Sequence, residues 1–316
     1  MYGGYPRAPV WSRSTLATLV APYFSIVVPV YNRAGTIARA IDSILGQTID
    51  DLEVIVVDDG STDDTPAVIA AYGDTRVRST SQANAGPGAA RNTGATLARG
   101  DVLTFLDSDD EALPGWLFAY ASAFERGADI VSCAVTDVDA SGRPLASPVR
   151  RPKDYGERFG HAVGLFVHGG TYALRRSIFD LVGGFEPSLL SAEHTELAYR
   201  LLPMAEERGW TVEAIDEPYL RHTVGTPSSL RAEDEKVLQG ASYLLEHYRD
   251  RFGSDRRWTA SHAATAGVRA ARLGRVAEAR RFFGQACRAR PGNPRNWLRL
   301  AITTVPPLAR RAWARP

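Results

Sequence analysis

Residues 102–110 read VLTFLDSDD, an apolar run that stops in three aspartates, Asp107, Asp109 and Asp110. A short continuous apolar run closed by polar residues is the pattern of a strand buried on both faces. Carboxylates at the C-terminal end of such a strand stand at the mouth of an open α/β sheet, where ligands bind. Asp107 and Asp109 are two positions apart and share a face on an extended chain. Three neighbouring carboxylates repel one another, and a divalent cation relieves the repulsion. Read alone, the stretch is equally a solvated loop or a helix start before Leu113-Pro114.

The upstream sequence shows the same design twice more, with a third, shorter strand between. Phe24 to Val30 (FSIVVPV) and Leu52 to Val57 (LEVIVV) are buried strands, and Arg76 to Ser79 is a short one. Arg33 to Gln47 carries Ile37, Ala40, Ile41, Ile44 and Leu45 at helical spacing. Thr62 or Asp63 can cap a helix with Pro66 in its first turn. Ala85-Gly86-Pro87-Gly88 opens a helix that runs through Leu97. The β-α-β-α-β-α-β alternation predicts an α/β fold, a mostly parallel sheet flanked by helices. Strand ends at Tyr31, Asp59 and Asp107-Asp109 then fall on one edge, which raises the metal and nucleotide reading.

Downstream, Trp116 to Arg126 reads as a helix and Asp129 to Val135 as a strand. Ala140 to Lys153, rich in Pro, Ser, Gly and Arg, reads as a surface loop. His168 to Thr171 leads into a strand at Tyr172 to Leu174, followed by a short helix over Arg175 to Val182. Glu193 to Arg208 is an amphipathic helix, and Thr211 to Ile215 with Tyr219 to His222 suggests a closing hairpin. From about Leu230 only helices are expected, at Glu233–Arg251, Thr259–Leu273, Val276–Arg290 and Pro294–Ile302. The small residues from Gly267 to Ala286 give the spacing of one tetratricopeptide-type hairpin. One hairpin is too few for a solenoid, so a helical bundle capping the rest is preferred. Three regions follow: a loosely ordered arm at 1–22, an α/β domain at 23–229 and a small all-α region at 230–316.

The chain has 316 residues, 44% hydrophobic and 23% charged, which is ordinary globular composition. A net charge of +1 gives no nucleic-acid signature. Its distribution is uneven: from Arg249 onward sixteen arginines face Asp250, Asp255 and Glu278, a net of +13, so the first 248 residues carry −12. Cys133 and Cys287 stand alone in apolar surroundings and suggest neither a disulfide framework nor a metal site. A cytoplasmic location is expected, with peripheral contact at the inner membrane face through the basic C-terminal region.

SIVVPVYNRAGTIARAIDSILGQT, LEVIVVDDGSTDDT, QANAGPGAARNTGATLARGDVLTFLDSDD and VGGFEPSLLSAEHTELAYRL together resemble glycosyltransferase family 2. The resemblance covers roughly residues 23–225, and the helical tail lies outside it. It implies a GT-A fold and transfer of a sugar from a nucleotide-sugar with inversion at the anomeric carbon. It also implies that Pro29 and Tyr31 line the nucleotide base and that Asp59 accepts from the base imide N–H. A carboxylate there suits a UDP-sugar, with dTDP- or GDP-sugars as lesser options. Asn84, Gly86 and Arg91 approach the ribose and phosphates. Asp107-Ser108-Asp109 matches the family's D-x-D. The resemblance implies that Asp109 there would bind Mn²⁺ or Mg²⁺ at the diphosphate and that Asp107 would hold ribose or the metal's water shell. His222 is expected to reach the metal or diphosphate, with Arg221 as another candidate.

The sequence departs from the family at the base. Members usually carry Glu-Asp at the start of the later helix, and this chain has Glu193-His194-Thr195-Glu196. Either His194 or Glu193 is the candidate base, and Glu196 alternatively caps the helix. Thr223 to Ser229 reads as a lid ordering on donor binding. The Gln-x-x-Arg-Trp motif of membrane-bound polymer synthases is missing, so transfer of one sugar is expected.

Expected acceptors are a glycan, a lipid-linked intermediate, a peptide or a small-molecule natural product; for a peptide the helical tail would dock it. Two other classes compete: a nucleotidyltransferase, for which VPVYNRAG is a poor phosphate loop, and a nucleotide-sugar-binding protein without turnover. Intact Asp59, Asp107 and Asp109 argue against the last.

Overall fold

The computed structural model describes residues 23–152, 169–224 and 233–304. The N-terminal arm, the Gly225–Ser229 part of the expected lid, and the segment after Thr304 lie outside the described residues.

The described residues form one nine-stranded sheet, ordered β3-β2-β1-β4-β8-β6-β9-β5 with β7 on β6. Its first half is parallel: β1 (Phe24–Val30) lies between β2 (Leu52–Asp58) and β4 (Val102–Phe105), and β3 (Val77–Ser81) extends β2. β1, β2 and β4 are buried along their whole lengths, which is why they read as largely apolar runs. The second half is mixed. β8 (Tyr172–Arg175) runs antiparallel to β4 and to β6 (Ile130–Val138), and β9 (Val212–Thr223) runs parallel to β6. The short β5 (Glu111–Ala112) closes against β9.

Helices cover both faces. α1 (Ile37–Leu45), α2 (Thr65–Ala70) and α4 (Trp116–Glu125) pack on one, α3 (Pro87–Leu97), α5 (Arg176–Val182) and α6 (Glu193–Arg208) on the other. α3 lies close on β1 because Gly94 has no Cβ; one would sit 2.3 Å from Val27 Cγ1. A buried knot ties α3 to the sheet: Glu53 accepts from the Ser25 hydroxyl at 2.7 Å, from the Arg99 N–H and from Arg78.

Two expected features differ. Residues 144–150, expected in a loop, form β7 (Pro144–Arg150) on the outer edge of β6, where a leading proline costs no ladder hydrogen bond. The expected hairpin is one strand, β9. The Asp216-Glu217-Pro218 stretch that looks like a turn is absorbed as a register shift between Ile215 and Pro218.

The helical region comprises α7 (Asp234–His247), α8 (Arg249–Phe252), α9 (Arg256–Arg272), α10 (Val276–Ala289) and α11 (Pro294–Thr304). Its core of Leu238, Trp258, Ala266, Phe282 and Phe283 also takes in Tyr199 from α6. Trp258 Nε1 donates to the Tyr199 hydroxyl at 2.8 Å, and the Tyr248 hydroxyl donates to Glu196 at 2.7 Å. Gly240 of α7 abuts the loop before α6, where a Cβ would sit 2.4 Å from the Ser191 carbonyl oxygen. The tail therefore packs directly on the element that starts with Glu193 and His194. No described helix is long and apolar enough to cross a membrane.

Candidate active site

The parallel register brings the ends of β1, β2 and β4 to one sheet edge. The end of β9 joins them, since the Thr223 N–H donates to Asp110 Oδ1 at 3.2 Å. Tyr31, just past β1, is 43% exposed. Pro29 lies buried within β1 opposite Val57, so Tyr31 is the residue of the pair with exposed surface. Asn32 takes a left-handed backbone (φ 52°) and clamps the next loop: its N–H donates to Ser61 Oγ and its Oδ1 accepts from the Thr62 N–H at 2.7 Å.

Asp59 is buried and already serves three donors. Gln82 Nε2 and the Ala85 N–H reach Oδ1, and the Gly86 N–H reaches Oδ2, all within 2.8–2.9 Å. The carboxylate thus holds the 82–86 loop, and the Gly86 N–H is spent on it. Gly86 has φ 93°, and a Cβ there would meet Leu190 at 2.5 Å, so glycine is required. Asn84 is exposed beside Gly60.

Arg91 does not face outward toward a phosphate. It sits one turn into α3, is 3% exposed, and joins Asp107 Oδ1 at 2.5 Å to Glu193 Oε1 at 2.9 Å. The Phe185 ring lies 5.4 Å from its guanidinium carbon. Burial alone would raise the Glu193 carboxyl, but Arg91 and then His194 hold it below the usual carboxylate range. Asp107 follows the same balance: burial opposes, and Arg91 and then His194 lower it.

The other two aspartates move the opposite way. Burial and then the Asp107 charge raise Asp109, which lies 3.5 Å from Arg33 Nε. Burial, then Asp107 and Asp109, push Asp110 well above its ordinary value. Arg39 donates to the Asp109 carbonyl oxygen at 2.6 Å, so α1 fixes the corner's backbone. Behind it, Trp116 Nε1 and the Tyr120 hydroxyl both donate to the Gly170 carbonyl oxygen, holding Gly169 so close that a Cβ would lie 2.7 Å from Asp107 Oδ1.

His194 is buried between aromatic rings, edge-on to Tyr172 and Phe185, with Nδ1 3.0 Å from the Tyr172 hydroxyl. Its Nε2 is 3.9 Å from Glu193 Oε1. Glu196 does not cap α6. It pairs with Arg200 and Tyr248, and Arg200 in turn donates to the Val182 and Gly184 carbonyl oxygens. His222 Nδ1 lies 2.9 Å from Asp137 Oδ1, and Arg150 of β7 joins both. Arg221 pairs with Glu111.

Among the described residues no group of three or more His, Cys, Asp or Glu side chains is placed to hold a metal ion. Asp107, Asp109 and Asp110 lie near enough for their charges to act on one another, and Asp107 and Asp109 are paired with Arg91 and Arg33. Sequence reasoning missed Arg33, Arg39, Asp137, Arg150 and Tyr172. Nothing local marks them, since each acts across the sheet.

The model of the glycosyl transferase family 2 matches residues 25–183. The succinoglycan biosynthesis protein ExoO of Rhizobium meliloti (strain 1021) is 45% identical over 126 residues, 39% of this chain and 36% of that protein. Chondroitin synthase of Escherichia coli is 33% identical over 184 residues, 57% of this chain and 26% of that one. The chain thus spans only about a quarter to a third of these relatives. Among solved structures, S. aureus TarS 1-349 in complex with UDP-GlcNAc superposes with a TM-score of 0.54 at 18% identity, covering 84% of this chain and 88% of that one. The mannosyltransferase PcManGT from Pyrobaculum calidifontis, in complex with GDP-Man and Mn2+, gives 0.57 at 20% identity, covering 93% and 88%. These likenesses share the α/β architecture of a helix-flanked sheet, and with the family match over half its length the chain belongs to glycosyl transferase family 2.

Proposed function

We propose that the chain is an inverting, metal-assisted glycosyltransferase that moves one sugar from a nucleotide-sugar, a UDP-sugar first, to an acceptor hydroxyl. The observation that carries this reading is the Arg91 bridge. It makes the aspartate corner and the start of α6 one buried ion-paired unit, so the diphosphate side and the acceptor side of the site are set against each other. Tyr31 stacks on the base, and the loop held by Asp59 shapes its pocket. Asp109, with Asp107 and His222 beside it, would hold Mn²⁺ or Mg²⁺, which neutralises the departing diphosphate when bound. A GDP-sugar is the second reading, supported by the fold likeness to a mannosyltransferase with GDP-Man and Mn2+.

For the base, His194 is favoured over Glu193. A carboxylate ion-paired to buried Arg91 and held below its ordinary range is a weak proton acceptor at neutral pH. The Tyr172 hydroxyl orients the imidazole from Nδ1, as the third group does in other oriented-base sites. Residues 23–229 form the catalytic unit in this reading, and residues 230–316 brace α6.

The test is thermal shift with UDP, GDP, dTDP and CTP, with and without Mn²⁺, followed by transfer assays with a nucleotide-sugar panel. Stabilisation by UDP plus Mn²⁺ and loss of transfer in His194→Ala with nucleotide binding retained are expected. Absence of stabilisation by any nucleotide would overturn the reading. Full turnover in His194→Ala would move the base to Glu193.

A further inference from the structure

The helical region holds a groove of about 510 Å³ that the site above does not use. Arg257 of α9, Arg290 after α10, and Arg295 and Arg299 of α11 all line it. Arg269 also lines it but is neutralised by Asp234 at 2.8 Å. None of the other four forms a salt bridge among the described residues. The groove is a fixed feature of the bundle. Arg256 Nε donates to the Ala289 carbonyl oxygen at 3.1 Å, and Asn296, 2% exposed, donates to the Ala286 carbonyl oxygen.

Four cations facing one concavity repel each other, and an anionic ligand removes that cost. The volume falls within the range of small-ligand sites, roughly 300–1,000 Å³, enough for a few sugar units. Ser261, Thr265 and Asn293 on the same walls offer neutral hydrogen bonds suited to hydroxyls. A concave wall with such groups fits a discrete chain better than a flat membrane surface. We propose that this groove docks an anionic glycan, the part of the acceptor remote from the reacting hydroxyl, through guanidinium forks to its carboxylate or phosphate groups. That the ligand is an acceptor rests on the transferase reading.

The test measures binding to the full chain directly, without turnover. The probes are an oligogalacturonide, a neutral malto-oligosaccharide of equal length, and vesicles containing anionic phospholipid. The oligogalacturonide should bind with a salt-sensitive affinity, and the neutral oligosaccharide should not. Arg295→Ala/Arg299→Ala should weaken binding at least about ten-fold while its melting temperature and nucleotide stabilisation stay at wild-type values. Equal binding of the neutral oligosaccharide, wild-type affinity in the variant, or binding to vesicles alone would overturn it. Nucleotide stabilisation in the same samples reports separately on the transferase reading.

Discussion

Arg91 and Glu193 meet at 2.9 Å in the interior although 102 positions separate them, and the same guanidinium reaches Asp107. One cation from α3, the third helix of the parallel half, thus holds a strand end and a later helix start together.

Removing that cation should be costly. Arg91→Met leaves the buried Glu193 and the partly exposed Asp107 carboxylates without their partner, and breaking a buried network by one member costs about 3–5 kcal/mol. Urea unfolding should show a loss of this size, with transfer activity abolished. Adding Glu193→Gln should recover part of the stability but no activity. An unchanged unfolding midpoint in Arg91→Met would mean that the bridge contributes nothing.

The aspartate corner makes a different prediction. Asp109→Asn removes one of three mutually repelling carboxylates, so the ligand-free protein should melt no lower than wild type. The extra stabilisation by Mn²⁺ together with UDP should vanish. Thermal melts in four conditions, with nucleotide and metal varied separately, decide it; persistence of the metal-dependent increment would place the cation elsewhere.

Acid should loosen the knot at Glu53. Burial alone would raise this carboxyl, but the Ser25 hydroxyl, the Arg99 N–H and Arg78 bring it below its ordinary value. A lowered folded-state pKa stabilises above the unfolded value, about 4.3 for Glu, and that stability disappears as pH falls through the folded value. Stability should be flat from neutral pH to about 5 as far as this group is concerned. Glu53→Gln should be less stable by about 1–3 kcal/mol at pH 7 and should show a shallower acid decline. Parallel declines in both proteins would remove Glu53 from the account.

The tail should influence catalysis without touching substrate. Gly240→Val places a side chain against Ser191 and Ala192, and overpacking of this kind costs about 1–3 kcal/mol. Because the shifted loop leads into Glu193 and His194, kcat should fall while nucleotide binding holds. Steady-state kinetics beside nucleotide thermal shifts would show the split; a pure stability loss with normal kcat would make the contact structural only.

The parallel half was legible because β1, β2 and β4 are buried on both faces and their residues are mostly apolar, Ser25, Glu53, Asp58 and Thr104 excepted. β7 and β9 were not, since an edge strand with proline and a strand with a register shift look like loop and turn. Strand-end residues such as Tyr31 and Asp109 could be placed on one edge from topology alone. The partners of Arg91, His194 and His222 could not. Asp107, Tyr172 and Asp137 meet them only after α3, α6 and the second half of the sheet have packed.

Asp59 has a consequence for how donor preference can change. Its two oxygens anchor a backbone loop through Gln82, Ala85 and Gly86, so the carboxylate acts as a hinge pin for the wall of the base pocket proposed above. Replacing it would collapse that wall for every nucleotide alike. A shift from one base to another is then open to substitutions along residues 82–86, where the contour can vary while the pin stays in place.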